Sequence, residues 1–267
     1  MEDKKHIHVN NLLYSCASVK QRGSEQFVST HALGCIISGE YQVYTNEGVK
    51  VFRPGSISLV RRNQFIKSKK IPPPGGEFKS LHLFLTQDFL HRYASEYNIC
   101  PVGHYTDDYM RILAPDVFIK GYFDSLIPYF DQEIQPDSTM MELKTREAVA
   151  LLLRHDPTLN EFLFDFSEPY KIDLEAFMNQ NFMYNVPTEK FAKLTGRSLA
   201  SFKRDFEKVF NTTPGQWLQQ KRLNEALYLI KERGRKPSDV YMEVGFENLS
   251  HFSFCFKKTF GIAPSMI

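Results

Sequence analysis

Cysteine is scarce: four residues in 267, at Cys16, Cys35, Cys100 and Cys255. None forms a Cys-x-x-Cys pair, so neither a disulfide framework nor a zinc site is suggested. Each is expected to be a small buried hydrophobe. Long apolar runs are also missing. No stretch approaches the roughly 20 residues of a membrane span, so no membrane partner is expected. The opening stretch MEDKKHIHVNNLLYSC has no apolar core of signal-peptide length, and a cytoplasmic location is expected. Nor is there an excess of one charge, because the net value is only +2.

The distribution of charge is more telling than its sum. From Glu168 to Ile267, 15 Lys and Arg face 11 Asp and Glu, giving +4 and leaving −2 for the rest of the chain. A basic end on a slightly acidic body fits a nucleic-acid-binding module. Residues from about 10 to 85 read as short strands between Gly and Pro punctuation, a pattern of small sandwiches and barrels. Ile37, Tyr41 and Val43 predict hairpin strands, with turns at Asn46 to Gly48 and Pro54-Gly55. Strands are expected over Ile57 to Val60 and, after the proline loop, over Phe78 to Leu85.

Helical spacing follows in Gln87 to Tyr97. Val117 to Ile134 and Ser138 to His155 predict an antiparallel pair around Gln135-Pro136-Asp137, fit for core packing or a homodimer contact. Ser138 is expected as N-cap, with Leu143, Val149, Leu152 and Leu153 on one face. The polar stretch Asp165 to Lys171 reads as the boundary into a C-terminal domain.

The last hundred residues repeat one helical unit. Phe202, Phe206, Phe210 and Pro214 recur fifty residues later as Phe252, Phe256, Phe260 and Pro264, and Lys208 recurs as Lys258. The phenylalanines, spaced by four, belong to the core rather than to base stacking. Each unit reads as a helix-turn-helix, with Gly196 and Gly245-Phe246 at the turns and Ser198 and Asn248 as caps. The first recognition helix is predicted over Leu199 to Val209 and exposes Ala200, Ser201, Lys203 and Arg204. The second, Leu249 to Thr259, exposes Leu249, Ser250, His251, Ser253 and Phe254, with Lys257 and Lys258 near its end. Small, polar and basic side chains suit a major groove, where Arg and Lys donate to guanine or phosphate. A connector helix from Pro214 to about Glu232 spans roughly 27 Å, enough to hold two readers near the ~34 Å pitch of B-DNA. Arg222 interrupts its apolar pattern.

These residues carry a resemblance. The turn with Ala192, Gly196 and Ser198, the RLNEAL connector (Arg222 to Leu227) and the ending VGF…HFSFCFKKTFGIAP make residues from about 170 to 267 similar to the AraC/XylS family DNA-binding domain. The resemblance implies a seven-helix domain with two helix-turn-helix motifs on adjacent major-groove segments. Ala200, Ser201, Lys203, Arg204, Ser250, His251, Ser253 and Phe254 would then face DNA. Two departures stand out: Tyr241 replaces a small alanine, and Phe254 stands where arginine is common. ISGEYQVYTNEGVKVFRPGSISLVRR and LTQDFLHRYASEY resemble the ExsA-like subgroup, activators of type III secretion. That similarity implies a cupin-like barrel plus a helical dimerisation segment.

The combined expectation is an α+β chain in three parts. Residues 1–105 form a cupin-like β-barrel regulatory domain, 106–166 a helical linker and dimerisation segment, and 167–267 an all-α DNA-binding domain with two helix-turn-helix motifs. The expected function is a sequence-specific transcriptional activator of the bacterial cytoplasm and nucleoid, with no enzymatic activity, cofactor or metal. Its partners are double-stranded DNA, RNA polymerase, a second copy in a homodimer, and a small-molecule or protein effector at the N-terminal domain, whose contact residues are unassigned. The alternative, a cupin-type metal-dependent enzyme with a helical appendage, needs two His and a carboxylate. Only His31 and His82 stand as barrel candidates, with no His-x-His pair and downstream Glu between them.

Overall fold

The computed structural model describes residues 4–19, 21–45, 48–100, 105, 107–131, 137–167 and 171–267. It divides into two compact units, Met1–Ser167 and Glu168–Ile267.

The first unit begins with β1 (Lys4–Val9), β2 (Leu12–Ala17), β3 (Gln21–Val28), β4 (His31–Ser38), β5 (Glu40–Thr45), β6 (Gly48–Phe52), β7 (Ile57–Val60), β8 (Gln64–Ile71) and β9 (Phe78–Leu85). Helix α1 (Gln87–Glu96), strand β10 (Met110–Leu113) and helices α2 (Val117–Leu126), α3 (Pro128–Asp131), α4 (Ser138–His155) and α5 (Leu159–Phe164) complete it. The division into N-terminal strands and C-terminal helices follows the expected α+β plan. The described strands make two antiparallel sheets, ordered β1-β2-β9-β4-β7-β10 and β3-β8-β5-β6, and these do not close into a barrel. Gly39 carries the chain from one sheet to the other. Its φ is +81°, and a Cβ there would meet the Ile71 carbonyl oxygen at 2.6 Å, so a side chain would force the turn open. Ile37 and Tyr41 therefore lie in different sheets. The hairpin that does form joins β5 to β6, with Thr45 opposite Gly48; the rest of its predicted turn, residues 46 and 47, lies outside the described residues.

Alternation places one leucine rung across four adjacent strands. Leu12 faces Leu83, Leu83 faces Leu33, and Leu33 faces Leu59. All four are fully buried, beneath Leu90, Phe123, Leu126, Val149, Leu152 and Phe162 of the helices. Each buried side chain of this size stabilises the unit by about 1.5–3 kcal/mol. The other face, with Ala17, Ile36 and Phe78, packs on Val43, Phe52 and Ile66 of the second sheet.

The predicted helix from Val117 to Ile134 is interrupted at Pro128, which has no N–H for the helical ladder; its end, 132–136, lies outside the described residues. Helix α4 is capped by Asp137, whose Oδ1 accepts from the Met140 N–H at 2.7 Å, and not by Ser138. Its buried stripe is Met141, Thr145, Ala148, Val149 and Leu152. Leu143 falls off that stripe and is 56% exposed. Three cysteines are buried as expected, but Cys100 is exposed.

Asp165, expected in a polar boundary, is buried and held from several sides. The Arg61 guanidinium and the Ser167 hydroxyl pair with its carboxylate. The Tyr105 N–H donates to Oδ2 at 3.0 Å. Arg62 donates to the carbonyls of Asp165 and Ser167 at 3.2 and 2.6 Å. Burial by itself would raise the Asp165 carboxyl; the hydrogen bonds from Ser167 and Tyr105, with Arg61, hold it below its ordinary value. His31 sits in the same region, fully buried against the Phe162 ring at 5.6 Å. Neither ring nitrogen has a hydrogen-bond partner. Burial, with Arg62 and Arg61 adding to it, lowers its pKa to about 3.

The second unit contains α6 (Leu174–Asn181), α7 (Thr188–Leu194), α8 (Leu199–Phe210), α9 (Pro214–Lys231), α10 (Pro237–Glu243), α11 (Leu249–Phe260) and a closing 3-10 turn at Pro264–Met266. Among the described residues no helix of either unit is long and apolar enough to cross a membrane.

Candidate nucleic-acid interface

The repeat builds two equivalent helix pairs, α7 with α8 and α10 with α11. Phe202 and Phe206 are fully buried, as are Phe252 and Phe256. The aromatic ladders match in spacing. Ring centroids lie 5.6 and 4.4 Å apart along Phe202, Phe206 and Phe210. They lie 5.5 and 4.7 Å apart along Phe252, Phe256 and Phe260. Pro214 and Pro264 are both buried at the ends of these ladders. The caps are also duplicated. Ser198 accepts from the Ser201 N–H at 3.2 Å, and Asn248 accepts from the His251 N–H at 2.7 Å. Each recognition helix ends in a left-handed residue, Asn211 or Gly261.

With one face fixed in the core, the opposite face is determined. Arg204 lies midway between Phe202 and Phe206, about 200° round the helix from either. Phe254 has the same relation to Phe252 and Phe256. Both point outward: the Arg204 side chain is 66% exposed and Phe254 67%. Ala200 and Lys203 are exposed with Arg204, while Ser201 is half-buried. Ser250, His251, Lys257 and Lys258 are exposed with Phe254, and Ser253 is half-buried. Thus every residue predicted to face DNA lies on an outer or flanking face of α8 or α11, and Leu249 adds an exposed apolar side chain.

Two polar assemblies hold these helices, and the sequence pattern did not single them out as positioning groups. Arg197 donates from Nε to Asp205 at 3.1 Å and from Nη1 to the Ile172 and Thr195 carbonyls. Lys171 and Arg204 also approach the Asp205 carboxylate, at 3.2 and 3.6 Å. The hydrogen bonds from Lys171 and Arg197 lower the Asp205 pKa. Fifty residues on, Cys255 replaces Asp205, and its sulfur lies 3.4 Å from His251 Nε2. The second assembly explains why Arg222 breaks the apolar pattern of α9. It donates to the carbonyls of Phe182, Tyr184 and Gly245 at 2.8, 2.8 and 3.1 Å. It thereby ties the connector to the turn of the second motif. Gly245 has φ +94°, and a Cβ there would meet the Met183 carbonyl oxygen at 2.6 Å. Tyr241, larger than the expected alanine, is half-buried and meets the Phe252 ring at 6.5 Å.

A duplicated helix-turn-helix with its basic outer face on the first copy defines a DNA-binding class of protein, and sequence comparison agrees. Residues 191–267 match the helix-turn-helix domain family, and residues 31–164, half of the chain, match the ExsA N-terminal regulatory domain family. The HTH-type transcriptional regulator ExsA of Pseudomonas aeruginosa is 23% identical over 266 residues, covering 92% of this chain and 94% of that protein. The virulence regulon transcriptional activator VirF of Yersinia enterocolitica is 32% identical over 92 residues, 34% of each chain. A solved structure of apo ToxT from Vibrio cholerae covers 96% of both chains at 11% identity, with a TM-score of 0.47. The chain belongs to the AraC/XylS family of DNA-binding transcriptional regulators, with an N-terminal region of the ExsA type.

Proposed function

We propose that the chain is a transcriptional activator that reads two successive major-groove segments with α8 and α11. The observation that carries this reading is the duplicated aromatic ladder, which orients two equivalent outer faces. Lys203 and Arg204, with Ala200 and Ser201, form the first reading surface. Ser250, His251, Ser253 and Phe254 form the second, and Lys257 and Lys258 bind backbone phosphates. Residues 167–267 are the DNA-binding domain, residues 1–105 the regulatory domain, and residues 106–166 the dimerisation segment. Exposed Val117, Phe118 and Leu143 on α2 and α4 supply apolar surface for a homodimer. An effector, either a small molecule or a partner protein, acts on the N-terminal unit and sets the DNA affinity. In the bacterial cytoplasm the bound regulator recruits RNA polymerase.

Among the described residues no group of three His, Cys, Asp or Glu is placed to hold a metal ion. The test is selection of bound duplexes from a random library by the full chain, followed by affinity measurement over a salt series. A clear preference for the selected duplex over random duplex at moderate salt is expected. Equal affinity for both would refute the reading.

A further inference from the structure

The two outer faces are built alike but end in different chemistry. Arg204 and Phe254 occupy the same place, fifty residues apart, each opposite a buried phenylalanine pair. A guanidinium there can donate two hydrogen bonds to the O6 and N7 acceptors of guanine. A phenyl ring can do neither. Among the described residues no aromatic ring packs on Phe254, and at 67% exposed it is the most solvent-accessible phenylalanine of the second unit. Its neighbours on the same ridge are Ser250, one turn before, and Lys257 and Lys258, about one turn after. That arrangement, an apolar centre between a small hydroxyl and two ammonium groups, matches one feature of the duplex. In the major groove the apolar group presented by a base pair is the C5-methyl of thymine, and it is flanked by phosphates for the lysines to neutralise.

We propose that Phe254 is a specificity-determining residue that reads a thymine methyl, so that the second motif selects T where the first, through Arg204, selects G. This inference rests on the reading of α11 as a groove-binding helix. It adds which base that helix prefers and why the two copies differ.

The test uses the full chain and its best duplex from the random library, resynthesised with each thymine in turn replaced by uracil, which removes only the methyl group. At one or two thymines in the segment read by α11, the replacement should weaken binding about four-fold, the factor one buried methyl group corresponds to. Phe254→Ala should bind the thymine duplex more weakly by a similar factor and should lose the distinction between thymine and uracil. Phe254→Arg, which restores the first copy's chemistry, should shift the preferred base there to guanine in a repeated selection. A wild type indifferent to every uracil replacement would overturn the proposal, as would a Phe254→Ala variant that keeps the full uracil penalty. A library that yields no enriched duplex would overturn the DNA-binding reading itself, and this inference with it. Phe254 is exposed, so neither variant threatens the fold, and unchanged far-ultraviolet circular dichroism verifies that.

Discussion

Replacing His31 with leucine should remove much of the acid sensitivity of the N-terminal unit. His31 is fully buried, its two ring nitrogens are unpartnered, and its pKa lies at about 3 when folded. In the unfolded chain an imidazole titrates near ~6.5. The unfolded state therefore binds the proton first as the pH falls. The stability contributed by neutral His31 is complete above about pH 6.5 and is lost progressively from there towards pH 3. Between pH 7.5 and pH 5 this linkage lowers the unfolding free energy by about 2 kcal/mol. His82, half-buried 3.1 Å from the Ser80 hydroxyl, has a pKa lowered by burial and by Lys70 to about 4. It adds a loss of the same sign, equal in both proteins, and so cancels from the comparison. Urea unfolding at the two pH values would be followed by tyrosine near-ultraviolet circular dichroism, because nine of the 13 tyrosines precede Ser167. Trp217, the single tryptophan, reports the other unit by fluorescence in the same samples. Wild type should lose about 2 kcal/mol more than His31→Leu between pH 7.5 and pH 5, with no difference in the Trp217 transition. Parallel losses in the two proteins would refute the argument.

Other perturbations have equally definite outcomes. Asp165→Asn leaves Arg61 without its buried counter-ion and should destabilise the N-terminal unit by about 3 kcal/mol, measured by the same tyrosine signal. Arg222→Met removes the guanidinium that donates to the Phe182 and Gly245 carbonyls and shares the Tyr184 carbonyl with the Val186 N–H, and should cost the C-terminal unit about 3 kcal/mol in urea unfolding followed by Trp217 fluorescence. Gly245→Ala should cost that unit about 2–4 kcal/mol, combining a left-handed φ with the clash against the Met183 carbonyl. Its Trp217 midpoint should move accordingly, and an unchanged midpoint would show that the turn relaxes.

The C-terminal unit was the more legible in sequence because its information is local. A phenylalanine at every fourth position fixes one helix face, and a cap and a glycine fix each end. The outer residues Arg204 and Phe254 followed from that face alone. Pairing in the N-terminal unit is not local. Nothing near Ile37 reveals that it joins one sheet while Tyr41 joins the other, since the cause is the contact of Gly39 with Ile71, over thirty residues away. The division between the two units falls within the polar stretch Asp165 to Lys171, at Ser167 and Glu168. The burial of Asp165 was not legible there, because its partners Arg61 and Tyr105 are brought close only by the fold. Arg222 gave a signal, a charge in an apolar stripe, but its three acceptors became visible only with the turns in place.

The central claim is that one chain reads two adjacent major-groove segments with two separate helices. Base-contact interference mapping on the selected duplex addresses it directly. The claim predicts two clusters of contacted bases on one face of the duplex, about 10–10.5 base pairs apart. Arg204→Ala should erase only one cluster and Phe254→Ala should weaken only the other. A single cluster, or the loss of both clusters in either variant, would contradict the account.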